Sequence, residues 1–151
     1  MSIVAISTYV ASRTIYNTFY PEILIKSIVS ITSSLISNIY HILTTTQDID
    51  LKKILVTSDI IHDITIIKSF TEEKELENKT ILTCIHNINE TLKEIDDVIK
   101  SINNKFEIHQ KIWFSYFRSY DISFEKERII FLSNRLKHRF ELLIKIYSTL
   151  K

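Results

Sequence analysis

The side chains able to do metal or acid–base chemistry are few and poorly spaced for it. The chain has 151 residues, with one cysteine and five histidines, at positions 41, 62, 86, 109 and 138. No two histidines lie four residues apart, the spacing that puts two zinc-binding imidazoles on one helix face. The Glu-x-x-His signature of di-iron helical bundles is also missing. We therefore expect no metal site.

Cys84 and His86 are the closest pair of reactive types. Two residues apart, their side chains fall on different faces of a helix, which argues against a nucleophile–base pair. We expect Cys84 to act as a small apolar side chain. His86 and Glu90 have the spacing of neighbours on a helix surface, and we interpret them as a solvated pair.

The chain contains no glycine. This excludes a Walker loop, a dinucleotide-binding fingerprint and a glycine nucleophile elbow. A single cysteine excludes an internal disulfide. The protein is therefore predicted to be non-enzymatic and to bind no cofactor.

A long heptad pattern in the middle of the chain must position any functional group. Apolar residues recur at alternating spacings of four and three, the a/d pattern of a helix with one buried stripe. Ser69 or Thr71, followed by glutamates, favours a helix start here, so we predict a helix over 71–119. The stripe consists of Ile81, Ile85, Ile88, Leu92, Ile95, Ile99, Ile102 and Phe106, then His109, Trp113 and Tyr116.

Two more apolar lines predict partner helices. A shorter helix opens at Asp48 or Asp50 and ends near Lys68, and a final helix is capped by Ser123. The connections that predict antiparallel neighbours are residues 46–50, 68–72 and 119–123. The predicted fold class is all-α: a four- to five-helix antiparallel bundle with one long heptad-patterned helix.

The first 47 residues form a segment of different character. Residues 27–47 are uncharged, yet their polar and apolar residues alternate as in an amphipathic helix, which Pro21 would begin. We divide the chain into residues 1–47, packed on or swapped onto the bundle, and a bundle core, 48–151. The segment is interpreted as a core or assembly helix, with a membrane-surface helix through residues 21–43 or a membrane span as alternatives.

Aromatic and basic residues near the end of the long helix form the candidate interaction site. Trp113 continues the apolar seam, whereas Phe114 and Phe117 point away, so a second helix or a partner must cover this end. The arginines would join them if the last two helices form a tight hairpin. The candidate residues are Trp113, Phe114, Phe117, Arg118, Arg135 and Arg139.

Charge is unevenly distributed along the chain. Residues 48–105 carry 12 acids and 8 bases, a net −4, and residues 106–151 carry 5 acids and 9 bases, a net +4. We expect the arginines to pair with the acidic middle segment rather than with an anionic partner. The sequence pI of about 7.8 is too low for a typical nucleic-acid-binding domain, so nucleic acid is not an expected partner.

His109 occupies a core position of the heptad seam. A pH switch and a polar device that sets the helix register are two functional interpretations. The preferred interpretation is a histidine bonded to a neighbouring helix.

Residues 48–151 resemble small all-α proteins of nucleocytoplasmic giant DNA viruses. The shared features are the Asp-Ile-Asp-Leu opening, the short apolar helix, the end of the long helix and an apolar final helix. These are residues 48–51, then Ile61, Ile64 and Ile67, then His109-x-Lys111-x-Trp113-Phe114 with Arg118, and Leu136, Arg139, Leu142, Leu143 and Ile144. The resemblance implies a viral setting, in the virion or the infected cytoplasm, and no mechanism.

We therefore predict a viral interaction or structural protein that binds a protein partner or itself. One alternative is a membrane-associating bundle that uses its Ser/Ile-rich N-terminal helix. A viral Bcl-2-like antagonist is a further alternative, opposed by the lack of glycine for that family's groove motifs.

Overall fold

The computed structural model describes the backbone of residues 3–112 and 120–151, and the side chains of residues 20–112 and 120–151. These residues form an all-α helical bundle, as predicted, and include no strand. The helices are α1 (Ile3–Thr45), α2 (Ile49–Thr57), α3 (Ile60–Glu73), α4 (Lys79–Lys111) and α5 (Ser123–Thr149).

The four long helices pack in a ring in which α1 contacts α3 and α4, and α5 contacts the same two helices. α5 is antiparallel to α4, because Arg135 reaches Glu94 while the later Arg139 reaches the earlier Thr91. α1 and α4 run in the same direction, since Tyr20 contacts His86 and Ser27 contacts Asn89. α2 contacts both α1 and α5.

One continuous apolar core fills this ring. All seven heptad positions of α4 from Ile81 to Ile102 are buried, as the alternating spacing predicts. The buried residues of α1 and α5 lie at helical spacing along one side of each helix. They are Leu24, Ile28, Leu35, Ile39 and Ile42 in α1, and Ile129, Leu132, Leu136 and Leu143 in α5.

The long helix begins later than predicted. Asn78 is its N-cap, and the side-chain oxygen of Asn78 accepts hydrogen bonds from the backbone N–H groups of Thr80, at 2.8 Å, and Ile81, at 3.3 Å. Thr71 instead lies in the last turns of α3, where its hydroxyl donates to the Ile67 carbonyl at 3.1 Å. A threonine can cap a helix, but the Thr71 hydroxyl bonds to a carbonyl of α3 instead.

The long helix also ends earlier, at Lys111, because Ile112 has extended backbone angles. The prediction of one helix through Ser119 is therefore wrong. The predicted aromatic residues at 113, 114, 116 and 117, and Arg118, lie outside the described residues.

The region from 48 to 68 is not one helix. Asp48 caps α2 as predicted, accepting from the Leu51 N–H at 2.8 Å, but α2 ends at Thr57. Asp59 then adopts a left-handed conformation, with φ 54° and ψ 26°, and α3 begins after it. A glycine often occupies such a left-handed position, but aspartate also tolerates it. The break between α2 and α3 therefore needs no glycine, and the sequence does not signal it.

Two other helix starts differ from the predictions. Pro21 lies inside α1 rather than at its first turn. Ser123 is the first residue of α5 rather than its cap, and its backbone N–H donates to the Asp121 carboxylate at 2.9 Å. Serine suits several positions near a helix start, so its type alone does not fix the first residue of α5. Pro21 occupies an interior position of α1, where a proline lacks the backbone N–H of the regular helix.

Candidate functional site

The two candidate interaction residues within the described part, Arg135 and Arg139, both lie on α5 and face α4. Arg135 Nη1 donates to Glu94 Oε1 at 2.7 Å, and Arg128 Nη2 donates to the other oxygen of that carboxylate at 2.6 Å. Arg139 donates to the Thr91 hydroxyl at 2.6 Å and to the Asn87 carbonyl. The prediction that basic residues of the last helix pair with the acidic middle segment is confirmed.

Arg135 and Arg139 lie beside the middle of α4 rather than near its end at Lys111, where the sequence predicted them. Glu94 precedes the end of α4 by about 26 Å at 1.5 Å per residue. The hairpin register explains the difference, because the antiparallel pairing brings Arg135 beside the middle of α4.

Phe131 lies on the outside of α5 between the two arginines that share Glu94. Its ring centroid is 5.7 Å from Arg128 Cζ and 5.3 Å from Arg135 Cζ, within the range of cation–π contacts. The side chain nevertheless remains 53% exposed. The Glu94 carboxylate thus fixes two guanidinium groups against a ring that solvent still reaches.

Phe124 and Leu142 extend this exposed apolar surface along α5. They are 72% and 47% exposed, and they lie seven residues before and eleven residues after Phe131. Both intervals return to nearly the same side of a helix. We call these three residues the α5 ridge, which is about 27 Å long at 1.5 Å per residue.

The flank of the ridge that faces α4 is positively charged. Arg128, Arg135 and Arg139 lie along it. Across the two helices, Glu94 pairs with Arg128 and Arg135. The charge of Arg139 also acts on the nearby Glu90 carboxylate. Arg139 binds neutral acceptors only in these contacts. The flank therefore keeps an excess of cations after its internal pairing.

The α5 ridge was not predicted, although the sequence holds a signal for it. The apolar line through Ile129, Leu132 and Leu136 is the buried face of α5, and it is sufficient by itself to predict this helix from the sequence. Phe124, Phe131 and Leu142 form a second line on another face, and two apolar lines on one helix indicate two contacts. The charge distribution predicts that these arginines pair with the acidic middle segment, whereas their individual partners depend on the register of α4 on α5.

His109 is half-buried at the edge of the bundle rather than deep in the seam. Its ring lies 4.8 Å from the Tyr120 ring, centroid to centroid. Both rings line a cleft of about 810 Å³ between the C-terminal ends of α1 and α4, with His41 and Glu107. Burial raises the pKa of Tyr120, while a hydrogen bond with Thr46 acts against this rise. The arrangement makes Tyr120 a contact between the chain after α1 and the start of α5.

Other chemistry-bearing residues have structural contacts. Burial raises the pKa of the half-buried Cys84 thiol, which disfavours the reactive thiolate. Glu90 binds Lys93 at 2.9 Å, and His86 Nδ1 is 3.2 Å from the Tyr20 hydroxyl. The pKa of Glu90 is lowered chiefly by Lys93 and to a smaller extent by the neighbouring His86. Among the described residues, no group of three or more His, Cys, Asp or Glu side chains could hold a metal ion.

One stretch of the described helices, Tyr20–Thr45, is long and apolar enough to cross a membrane by length and composition alone. The central helix of a soluble protein and an N-terminal signal sequence pass the same criterion. Only 28% of its most apolar window is buried in the bundle.

The described site is suited to recognition, because it combines an exposed aromatic ring with two positioned cations on a rigid helix. When the chain is compared with known proteins, no family model, curated protein or solved structure matches it.

Proposed function

We propose that this protein is a non-enzymatic helical bundle that binds a protein partner through the α5 ridge. The observation that carries the proposal is Phe131, half-exposed between Arg128 and Arg135. Aromatic and arginine side chains dominate the energetics of protein interfaces.

The ridge is arranged before any partner binds. Glu94 holds both arginines from the neighbouring helix, so little side-chain entropy remains to be lost at Phe131 on binding. A fixed aromatic residue with fixed donors around it favours affinity and selectivity together.

The partner proposed here is an acidic amphipathic helix. A helix of about 18 residues matches the 27 Å ridge, and its apolar stripe would cover Phe124, Phe131 and Leu142. Its carboxylates would meet the arginine flank, where three guanidinium groups face Glu94 and a Glu90 carboxylate that already binds Lys93.

A second copy of this chain fits the ridge less well. If two ridges pack antiparallel about a two-fold axis, each flank meets the same flank of the other copy. Arg128, Arg135 and Arg139 would then face their own equivalents. This repulsion favours a different, acidic partner over self-association.

The proposed viral setting rests on the sequence alone. Its support is the resemblance of residues 48–151 to small giant-virus proteins. The composition adds to it, because 30 of the 151 residues are isoleucine and glycine is absent, a bias toward residues with A/T-rich codons. In that setting the partner is a host protein or a virion component.

The binding test uses two synthetic amphipathic peptides of one design, with either Glu or Lys on the polar face. Titration calorimetry measures each against the full chain. We expect the Glu peptide to bind and Phe131→Ala to weaken it by about 30-fold or more, the range of an interface hot spot. Ile130→Ala is the matched control, because Ile130 is also exposed but lies off the ridge.

Three results would overturn the proposal. If the Lys peptide bound as tightly as the Glu peptide, the partner would not need to be acidic. If Phe131→Ala bound the Glu peptide with wild-type affinity, the binding site would not be the α5 ridge. A dimer that forms on concentration and is lost in Phe131→Ala would assign the ridge to a second copy.

A further inference from the structure

α1 is held to the bundle without any ion pair among the described residues. Lys26 and Glu22, the charged residues of α1 whose side chains are described, bind each other at 2.7 Å within the helix. Among the described residues, its hydrogen bonds with α4 include the Tyr20 hydroxyl with His86 and the Ser27 hydroxyl with Asn89, the latter at 3.3 Å. The other described ion pairs lie within or between α4, α5 and the cap of α2.

Several hydroxyl groups of α1 are satisfied by their own helix. Thr32 is buried and donates to the Ile28 carbonyl at 2.7 Å, and Thr45 donates to the His41 carbonyl at 2.7 Å. Thr44 likewise donates to the Tyr40 carbonyl at 3.0 Å. A bilayer interior offers no water to replace lost partners, so only groups satisfied within the segment can enter it at low cost. These hydroxyls would keep their partners if α1 left the bundle.

The stretch Tyr20–Thr45 also has the length that a bilayer requires. Its 26 residues extend about 39 Å at 1.5 Å per residue, and the hydrocarbon core is about 30 Å thick. Residues 27–45 carry no charged side chain, and the paired Lys26 and Glu22 lie near one end. That end can stay at the polar interface while the uncharged part enters the lipid.

Three observations point the same way: no described ion pair joins α1 to the bundle, several α1 hydroxyls bond within their own helix, and the helix is long enough to cross a bilayer. From these we propose that α1 is a releasable helix that inserts into a lipid bilayer. Its buried side chains exchange the bundle core for lipid tails and remain out of water. The partner is the hydrocarbon of the membrane, so neutral phospholipid is sufficient.

Release is expected at a membrane and not in water. α1 covers apolar faces of α3 and α4, and their exposure opposes opening in solution. Contact with lipid removes that penalty by covering the same faces. The soluble protein therefore keeps the closed bundle until a bilayer is present.

The direct test locks α1 onto α4. Ser27 and Asn89 contact each other, so Ser27→Cys with Asn89→Cys, in a Cys84→Ala background, can join the two helices by a disulfide. The full chain is floated with phosphatidylcholine vesicles in oxidised and reduced forms. We expect flotation of the reduced form and its loss in the oxidised form. Equal flotation of the two forms would overturn release.

A second test adds charge to the solvent-facing side of α1. Ser33 and Ser37 are exposed, so Ser33→Glu with Ser37→Glu should leave the melting temperature in lipid-free buffer unchanged. Two charges at membrane depth should lower vesicle partitioning by about 100-fold or more. Ser33→Asn with Ser37→Asn is the matched uncharged control and should float.

Two further results would contradict lipid insertion. In the first, the wild-type chain does not float with neutral vesicles, or the Glu variant floats as well as the Asn variant. In the second, flotation needs anionic lipid and disappears at high salt, which would assign binding to the basic surface of α5.

Discussion

At the scale of single residues, Glu94 has the most distinctive role, because one carboxylate holds two arginines of another helix. Glu94→Gln keeps the shape of the side chain and removes its charge. We expect the free energy of unfolding to fall by about 1 kcal/mol, since the pairs are partly exposed. Urea unfolding measures this change.

Glu90→Gln is the control for Glu94. The Glu90 carboxylate binds Lys93 within one helix and is only weakly affected by Arg139 of α5, so its loss should cost less than the loss of Glu94. Equal losses in the two variants would mean that the contact between α4 and α5 adds nothing to an ordinary surface pair.

Asp59 is a residue whose backbone conformation can be tested separately from its contacts. Its φ is 54°, a positive value that no other described residue has. Its side chain makes no capping hydrogen bond to α3. Asp59→Gly should be more stable than Asp59→Ala by about 1 kcal/mol, because a β-carbon is unfavourable here. Thermal unfolding of the two variants checks this order. An alanine variant as stable as the glycine variant would contradict the left-handed turn.

Two carboxylates link the stability of the bundle to pH. Burial raises the pKa of Glu125, but the Lys105 ammonium and the Ser101 hydroxyl outweigh it and keep the pKa below the usual 4.5. The same holds for Asp48. Burial raises its pKa, but the hydrogen bonds from the Leu51 N–H and from Lys126 outweigh burial, so the pKa is lowered overall. Because both folded pKa values are depressed, the stabilisation is present at neutral pH and is lost as the pH falls through them.

Glu125→Gln should therefore flatten the decrease in stability on acidification below about pH 4.5. Asp63 opposes this decrease, because burial raises its pKa and protonation then favours the folded state. Urea unfolding at several pH values measures the slope. A wild-type protein as stable at pH 3 as at pH 7 would contradict the depressed pKa values.

At the scale of helices, the start of α4 is the sharpest boundary to test. Asn78→Ala removes the side-chain acceptor for two backbone N–H groups and should cost about 1 kcal/mol. Asn104→Ala, at an exposed position inside α4, should be neutral or slightly stabilising. Thermal unfolding compares them. If Thr71→Ala cost more through a lost cap while Asn78→Ala cost nothing, the earlier boundary would be correct.

The sequence predicts helices where their burial is periodic and fails where a single residue decides. The heptads of α4 were predictable, because every stripe position from Ile81 to Ile102 faces the core. The division between α2 and α3 was not, because it depends on one left-handed aspartate. The α5 ridge was missed for another reason: the Phe131 contacts require the register of α5 on α4, which is tertiary information.

At the scale of the whole molecule, the buried stripe of α4 holds the bundle together. Ile95 is fully buried, so Ile95→Asp places an unpaired charge in the core and should unfold the protein. Ile108→Asp is the matched control, because Ile108 is 51% exposed and should tolerate the change. Circular dichroism measures both melts. An Ile95→Asp variant that melts like the wild type would refute the heptad register.

The proposed function also belongs to this scale, since the ridge exists only when α4 positions the arginines of α5. The most direct measurement is amide chemical-shift mapping of the full chain by NMR during titration with the Glu-faced amphipathic peptide. We expect shifts to concentrate on α5 from Phe124 to Leu142 and on α4 around Glu94, and Phe131→Ala to abolish them. Shifts centred elsewhere, or the same shifts with the Lys-faced peptide, would contradict an acidic partner on the α5 ridge.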